Sequence, residues 1–201
     1  MRSEKDALLL AELEAGFANA RDRAGEHLVC AAGCSDCCVG PFPITRLDRW
    51  RLQRGMQQMR DDDPQRAARI LERSRAAAQR LKEGLPTEAD GRLSQDEATL
   101  DAFFQQHQDL ACPALDPDNG HCELYAHRPI SCRTYGPPIR FGETDSPPCD
   151  LCFKGADAAT IEACRWTPDA DDQEQHLLAT LHTPYDEAWE TLIAFALEAT
   201  P

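Results

Sequence analysis

The cysteines are the residues of this sequence that are best suited to chemistry. The chain of 201 residues contains ten of them, four within nine residues and six more in its second half. Thiolates are soft ligands that suit zinc and iron–sulfur clusters. We therefore interpret all ten as candidate metal ligands: Cys30, Cys34, Cys37, Cys38, Cys112, Cys122, Cys132, Cys149, Cys152 and Cys164.

The loop lengths between neighbouring cysteines support a metal site. In a tetrahedral site with metal–sulfur bonds of about 2.3 Å, the sulfurs lie roughly 3.7 Å apart. Two intervening residues allow that separation between Cys34 and Cys37 and between Cys149 and Cys152. The first four cysteines also fit one face of a helix, although Gly33 makes a turn wrapped around the metal equally plausible.

The adjacent cysteines Cys37 and Cys38 bear on the kind of metal. Neighbouring side chains are expected to diverge, so we do not expect both thiols to bind a single zinc ion. A polynuclear cluster, or two nearby sites, would use both more easily. Ten thiols also exceed the four that one zinc ion needs. The sequence therefore favours an iron–sulfur cluster over zinc.

Disulfide bonds, inert packing and redox chemistry are the alternatives to metal. The N-terminus lacks the apolar core and cleavage site of a secretory signal, so we expect a cytoplasmic chain with reduced thiols. Burial as a small hydrophobe is plausible above all for Cys164. Cys149 and Cys152 could form a redox pair, but no thioredoxin-like βαβ pattern surrounds them.

The charge of the chain limits its partners. Formal net charge is −14 and the isoelectric point is near 4.8, which argues against nucleic acid because phosphate binding needs clustered Lys and Arg. No apolar run approaches the roughly 18 residues of a membrane span. The expected partners are therefore metal ions, together with a protein if the metal is only structural.

The remaining sequence predicts the elements that must position the cysteines. Apolar residues follow helical spacing, and alternating strand patterns are nearly absent, which predicts a mainly α fold with at most a short β-hairpin. Helices are expected over 4–28, from 45 and from 64, the last with Asp63 as its N-cap. Further helices are expected over 156–164, over 171–181 and from 183, the last with Leu192 on a core face. We expect one domain over 1–201, with a metal core at about 28–165 and C-terminal helices at 171–199.

Irregular segments deliver the thiols to the centre of this fold. Residues 40–43 should run extended, with Phe42 packed over the metal region. The turn signal Asp118-Asn119-Gly120 predicts a hairpin of 112–115 with 121–124, which would bring Cys112 and Cys122 together. Pro129 can start a short helix that carries Cys132.

Cationic and aromatic side chains accompany the second cysteine block. Arg128 and Arg133 would lower thiol pKa values and offset the charge of a thiolate cluster, or they pair with surface acids. His107 is expected at the surface or the core edge. His121 and His127 are possible nitrogen ligands, but with so many thiols nearby they are expected beside the ligand set.

Two cysteine blocks resemble the YkgJ-type cysteine-cluster family, CxxCxxCC, which is described as zinc- or iron-chelating. The first block is Cys30-x3-Cys34-x2-Cys37-Cys38, and the second is Cys112-Pro-Ala-Leu-x6-Cys122-x2-Tyr125-x2-Arg128-Pro129-x2-Cys132-Arg133-x-Tyr135. The resemblance covers about 28–165 and implies a cysteine-bound zinc or iron–sulfur centre. It also makes Tyr125, Arg128 and Arg133 candidate cofactor-binding residues. Flagellin lysine N-methylase is a larger relative described as using an iron–sulfur cluster, so its activity carries over poorly to this chain.

Three functions remain open from the sequence. The preferred one is a protein that carries an iron–sulfur cluster for electron transfer or chemistry. The second is a structural zinc protein that acts through protein contacts. The third is a cluster-dependent protein-modifying enzyme, for which no glycine-rich nucleotide loop or other catalytic motif is evident.

Overall fold

The chain folds into two compact units that alternate along the sequence. The computed structural model describes residues 2–87, 93–94, 96–180 and 190–198. Unit 1 consists of Met1–Ala32 and Ile130–His182, and unit 2 consists of Gly33–Pro129 and Thr183–Pro201. The expectation of a single domain over 1–201 stays a prediction.

Helices make up most of the described chain, and the predicted fold class, mainly α, is confirmed. None of the described helices is long and apolar enough to cross a membrane. Two short antiparallel pairs of strands complete the fold. In chain order the elements are α1 (Arg2–Ala24), β1 (Pro43–Thr45), α2 (Arg46–Asp62), α3 (Pro64–Lys82), α4 (Glu97–Gln106), α5 (Ile130–Thr134), β2 (Ile139–Phe141), β3 (Thr144–Ser146), α6 (Ala158–Ala163), α7 (Gln173–Leu178), β4 (Glu190–Leu192) and α8 (Ile193–Glu198).

Local capping explains where the two long helices of unit 2 begin. The hydroxyl of Thr45 accepts a hydrogen bond from the backbone N–H of Asp48 at 3.2 Å and caps α2. A carboxylate oxygen of Asp63 accepts from the N–H of Arg66 at 3.0 Å, and Pro64 occupies the first position of α3. The prediction for Asp63 and Pro64 is confirmed.

The core of unit 2 lies where α2, α3 and α8 pack together. Leu52 and Met56 of α2, Ile70 of α3 and Leu197 of α8 are almost fully buried in one apolar cluster. Phe42 packs against this cluster, as do Cys112 and Cys122, and its packing over a metal stays a prediction. The cysteines of unit 2 therefore lie at the edge of its main core.

Unit 1 is organised around α1, which packs on α5 and α7. Trp166 lies so close to α1 that a Cβ at Gly16 would approach its ring to 2.7 Å, so only glycine fits there. A separate buried cluster follows α1 and contains Ala24, Leu28 and Phe153 with three cysteines. In this unit the cysteines themselves form part of the core.

The C-terminal region corrects the expectation of a continuous helix from 183. Leu192 is buried as a strand residue, because β4 pairs antiparallel with β1 and the register matches Leu192 with Pro43. A helix begins only afterwards, at Ile193. The expected helix start at Thr183 lies outside the described residues. The prolines at 41 and 43 force an extended segment, and β4 uses that segment as a pairing partner.

Candidate metal centre

Each unit gathers its own group of four cysteines. The unit 2 thiol group is defined as Cys37, Cys38, Cys112 and Cys122, and the unit 1 thiol group as Cys30, Cys149, Cys152 and Cys164. Of the other two cysteines, Cys34 is exposed and Cys132 is half-buried on α5. None of the ten cysteines, all of which lie in the described part of the chain, forms a disulfide bond.

Backbone pairing brings the first cysteine block onto the second within unit 2. The N–H of Cys112 donates to the carbonyl of Cys38 at 2.7 Å, and Val39 forms an antiparallel bridge with Ala111. The N–H of Gly40 then donates to the carbonyl of Leu110 at 2.8 Å. Cys38 and Cys112, far apart in sequence, are thereby fixed side by side.

The predicted hairpin adds Cys122 to this pair. Leu115 and Cys122 form an antiparallel bridge, and the N–H of Asp116 donates to the carbonyl of His121 at 2.9 Å. Gly120 adopts a φ of +72° in the turn, a conformation that glycine takes without strain. The hairpin is confirmed, and it places Cys122 close enough to Cys112 to contribute to the raised pKa of the Cys112 thiol.

Cys37 and Cys38 meet in a way that corrects the sequence prediction. They lie in a single 3₁₀ turn, Asp36–Cys38, and their side chains are hydrogen-bonded to each other. The expected divergence of the two side chains is therefore wrong for this turn. The segment also resolves the choice left open by Gly33, because a turn and not a continuous helix carries the first block.

The four thiols of the unit 2 group differ in their tendency to ionise. The hydrogen bond from Cys38 lowers the pKa of Cys37 to about 7, and the positive charge of Arg128 acts in the same direction. The same contact raises the pKa of Cys38, because that thiol is held as the donor. Burial raises the pKa of Cys112 to about 12 and also raises the pKa of Cys122. Near pH 7 the metal-free group is therefore expected to have Cys37 about half ionised and its other three thiols protonated.

Arg128 is the cation of unit 2 that acts on these thiols. Its guanidinium lies 3.6 Å from the ring centroid of Tyr125 and donates a hydrogen bond of 3.0 Å to the Tyr125 carbonyl. Its charge lowers the pKa of Cys37 and of Cys122, which agrees with the expected role of a cation beside the cluster. Direct cofactor binding by Tyr125 and Arg128 stays a prediction.

Arg133 lies in unit 1, where it is almost fully buried. It donates a hydrogen bond of 2.7 Å to Glu14 of α1, which is the pairing with an acid that the sequence left open. Its binding to a cofactor stays a prediction.

Glu123 is a functional candidate that the sequence analysis missed. It follows Cys122, its side chain is only 3% exposed, and it pairs with both Arg66 and Arg73 of α3. The Arg66 contact measures 2.6 Å. Arg73 also donates a hydrogen bond of 2.9 Å to the carbonyl of Pro113, the residue after Cys112. Arg73 therefore ties both strands of the cysteine hairpin to one helix.

Histidines stand beside the thiols and not among them. His121 lies next to Gly33, and the His127 ring packs against Gly55 with Nε2 3.3 Å from an oxygen of Gln58. His107 is buried against Phe103, with ring centroids 4.7 Å apart. The donors offered by both thiol groups are therefore sulfur atoms.

The unit 1 thiol group is more deeply buried than the unit 2 group. Cys149, Cys152 and Cys164 are each buried within one apolar cluster, and Cys30 packs against it. The sulfurs of Cys30 and Cys152 are 3.8 Å apart. This distance is close to the roughly 3.7 Å between two sulfurs bound to one tetrahedral ion.

The backbone groups the thiols without closing them around one point. Within the described parts of the chain, no three His, Cys, Asp or Glu side chains are arranged so that they could hold a metal ion as they stand. The donor set itself fits zinc or iron, since both groups consist of thiols. Metal binding would need deprotonation and rotation of these side chains about their own bonds.

Comparison with known families supports this reading of the donor set. A family model described as "CxxCxxCC: Putative zinc- or iron-chelating domain" matches residues 29–150, more than half of the chain. The matched range contains both cysteine blocks and Cys149, and it ends before Cys152 and Cys164. Comparison with the curated proteins and with the solved structures gives no significant match.

Proposed function

The chain belongs to the CxxCxxCC family, and we propose that it is a metalloprotein whose unit 2 thiol group binds an iron–sulfur cluster. The observation that carries this proposal is the joining of the two cysteine blocks. Backbone pairing of Cys38 with Cys112, followed by the hairpin to Cys122, gathers four thiols from two distant segments. Such an arrangement has a clear use if the four sulfurs share one inorganic centre.

The kind of donor and its surroundings support iron–sulfur. Cys112 and Cys122 pack against the apolar core of unit 2, so a centre bound there would be partly shielded from water. Four cysteine thiolates are also the usual ligand set of an iron–sulfur cluster. When bound, such a cluster supplies one-electron chemistry.

The residues of the chain would control loading through their protons. Ligating thiols must be deprotonated, and within the unit 2 thiol group it is Cys37 whose pKa is lowered toward neutrality. Cys38, Cys112 and Cys122 have raised pKa values and would release protons as metal binds. Arg128 offers a fixed positive charge that favours the resulting thiolates at Cys37 and Cys122.

A structural zinc site is the second candidate for the same group. The hydrogen-bonded thiols of Cys37 and Cys38 favour it, because they remove the expectation that neighbouring side chains must point apart. A closed site of four thiolates would stabilise the fold and leave function to a protein contact. The metal itself, not the protein geometry, distinguishes the two candidates.

Thiols that must stay reduced to bind metal indicate a reducing compartment. No disulfide bond joins any of the ten cysteines, each of which the structure describes. Since disulfides persist mainly in oxidising compartments, we infer a cytoplasmic location. Quantifying the protein in cytosolic and envelope fractions of its native cell would test this, and recovery from the envelope fraction would contradict it.

Anaerobic purification followed by elemental analysis tests the proposed cluster. We expect a brown protein with iron and acid-labile sulfide, and we expect Cys112→Ser to lose both. Cys152→Ser in unit 1 is the matched control, because it removes a buried thiol from the other group and should keep iron and sulfide. A colourless protein in which Cys112→Ser loses zinc would establish the structural-zinc alternative instead.

A further inference from the structure

We propose that unit 1 contains a second metal site, in which Cys30, Cys149, Cys152 and Cys164 bind a single zinc ion. The inference goes beyond the iron–sulfur cluster proposed for unit 2 and does not depend on it. Two of its four ligands, Cys152 and Cys164, lie outside the range matched by the family model. The site is inferred from the contacts of the thiols within unit 1.

The distance between Cys30 and Cys152 is the first observation. Their sulfurs are 3.8 Å apart, although more than a hundred residues separate them in the chain. A disulfide bond would require about 2.05 Å, whereas two ligands of one tetrahedral ion lie roughly 3.7 Å apart. At this distance the two thiols form a hydrogen bond, and the same spacing suits two sulfurs that share one ion.

The turn that carries Cys149 and Cys152 is built to present thiolates. The N–H of Cys152 donates a hydrogen bond of 2.8 Å to the carbonyl of Cys149. The N–H of Leu151 donates a hydrogen bond of 3.5 Å to the Cys149 sulfur. A backbone N–H directed at sulfur stabilises the charged form of the thiol. The two residues between the cysteines match the short loop that tetrahedral zinc sites use.

Phe153 holds that turn in an unusual conformation. Its φ is +54°, a left-handed conformation that costs a residue with a bulky side chain free energy. Contacts with His27 hold Phe153 in this conformation. The Phe153 N–H donates a hydrogen bond of 2.7 Å to the carbonyl of His27, and the Phe153 ring stacks on the His27 ring. The chain after Cys152 is thus tied back to the segment that leads into Cys30.

Gly136 fits closely between Cys30 and Cys149. A Cβ at this glycine would lie 2.9 Å from the Cys30 sulfur, and its φ of +127° is one that other residues rarely adopt. Its carbonyl accepts a hydrogen bond of 3.0 Å from the N–H of Cys149. Because Gly136 has no side chain, there is room for the Cys30 thiol beside Cys149 and Cys152.

Cys164 supplies the fourth sulfur from the end of α6. It is buried in the same apolar cluster as Cys149 and Cys152, and its N–H bonds to carbonyls of the last turn of that helix. Four thiolates, three of them from buried cysteines, would make a closed structural site, which is the arrangement zinc takes when it stabilises a fold. Rotation of the Cys149 and Cys164 side chains toward the Cys30–Cys152 pair would complete it.

Zinc content of the purified protein, followed by titration of the metal-free protein with Co²⁺, tests this site. We expect one zinc per chain that Cys152→Ser loses and Cys112→Ser retains. Cobalt bound by four thiolates shows strong visible d–d bands and sulfur-to-metal charge transfer, so Cys112→Ser should still show one such equivalent. If Cys152→Ser keeps its zinc and its tetrahedral cobalt spectrum, the proposal is overturned.

Two glycine variants keep the test decisive if Cys152→Ser does not fold. Gly136→Ala places a methyl group against the Cys30 sulfur and should lower zinc occupancy at least tenfold under limiting metal. Gly155→Ala is the control, because its φ is +75° but nothing lies within 4 Å of the added Cβ. Equal zinc occupancy in the two variants would contradict the site. Loss of iron in Cys112→Ser reports on the unit 2 proposal alone, so the two can fail separately.

Discussion

The two thiol groups are assembled by different forces. In unit 2, hydrogen bonds of the backbone and the pairing of Glu123 with two arginines hold Cys112 and Cys122 in place. In unit 1, Cys149, Cys152 and Cys164 are themselves part of the buried cluster. The unit 2 thiol group is therefore supported by a fold that forms beside it. The unit 1 thiol group is itself part of the core, and bound metal would have to stabilise that core.

Metal removal should therefore affect the units unequally, and this is the largest effect we predict. Chelation under reducing conditions should abolish hydrogen-exchange protection over 149–164. The reason is that the metal–sulfur bonds are lost while the thiols stay buried without a ligand, and such bonds are worth about 10 kcal/mol or more in small zinc domains. The α2, α3 and α8 helices should stay protected by their apolar core. Exchange measured by mass spectrometry checks this, and equal loss in both units would remove the distinction.

The support of the unit 2 group can be broken without touching a cysteine. Glu123→Gln removes a buried charge that pairs with Arg66 and Arg73, and both arginines are partly exposed. We expect the free energy of unfolding to fall by about 2 kcal/mol and iron occupancy to fall with it. Chemical denaturation and iron analysis measure the two quantities.

Asp109→Asn is the control for this variant. Asp109 pairs with Arg80 of α3 at 2.6 Å, but both side chains are largely exposed, so the pair should contribute little. If Glu123→Gln behaves like Asp109→Asn, the hairpin does not depend on its attachment to α3.

Thiol reactivity should also separate the groups, in a way that depends on pH. In the metal-free protein Cys37 has a pKa of about 7 and Cys112 one of about 12. Cys37 therefore gains its thiolate as pH rises through about 7, while Cys112 stays protonated until pH is far more alkaline. Iodoacetamide should modify Cys37 first at pH 8, as measured by peptide mass spectrometry.

Cys38→Ala sharpens this prediction, because the hydrogen bond from Cys38 is the main cause of the lowered pKa of Cys37. The midpoint of Cys37 alkylation should then move upward toward the ordinary value for a thiol, with Cys34 as an internal exposed reference. An unchanged midpoint would show that the contact between the two thiols does not govern the ionisation of Cys37.

The smallest predicted effect concerns the helix that supports unit 2. Asp63→Ala removes the N-cap of α3 and should reduce stability by about 1 kcal/mol. Arg66, one of the two partners of Glu123, lies in that first turn, but Arg73 lies about two turns farther along the helix and keeps its contact with Glu123, so iron content should change little. Thermal unfolding and iron analysis check this, and loss of iron would mean that the start of α3 positions the cysteine hairpin.

Local signals in the sequence predicted the supporting elements well. Asp63 and Pro64 mark the start of α3 within two residues, and Asp118-Asn119-Gly120 marks the turn between Cys112 and Cys122. Each feature depends on the chemistry of adjacent residues. The mainly α class followed from helical spacing in the same way.

Interactions between distant residues could not be found in this way. Glu123 has its partners on α3, far back in the chain, and nothing in its neighbourhood distinguishes it from a surface carboxylate. The pairing of β4 with β1 joins residues 190–192 to 43–45, which placed Leu192 in a strand. The division of the cysteines between two units depends on tertiary contacts. The spacing of the cysteines along the sequence could therefore not show that Cys30 lies beside Cys152.

X-ray absorption spectroscopy at the iron and zinc edges of the anaerobically purified protein tests the central claim most directly. We predict sulfur as the nearest neighbour at both edges, with zinc bound to four sulfurs at about 2.3 Å and iron showing a second iron atom nearby. Nearest neighbours that are oxygen or nitrogen at both edges would contradict binding of metal by the cysteines.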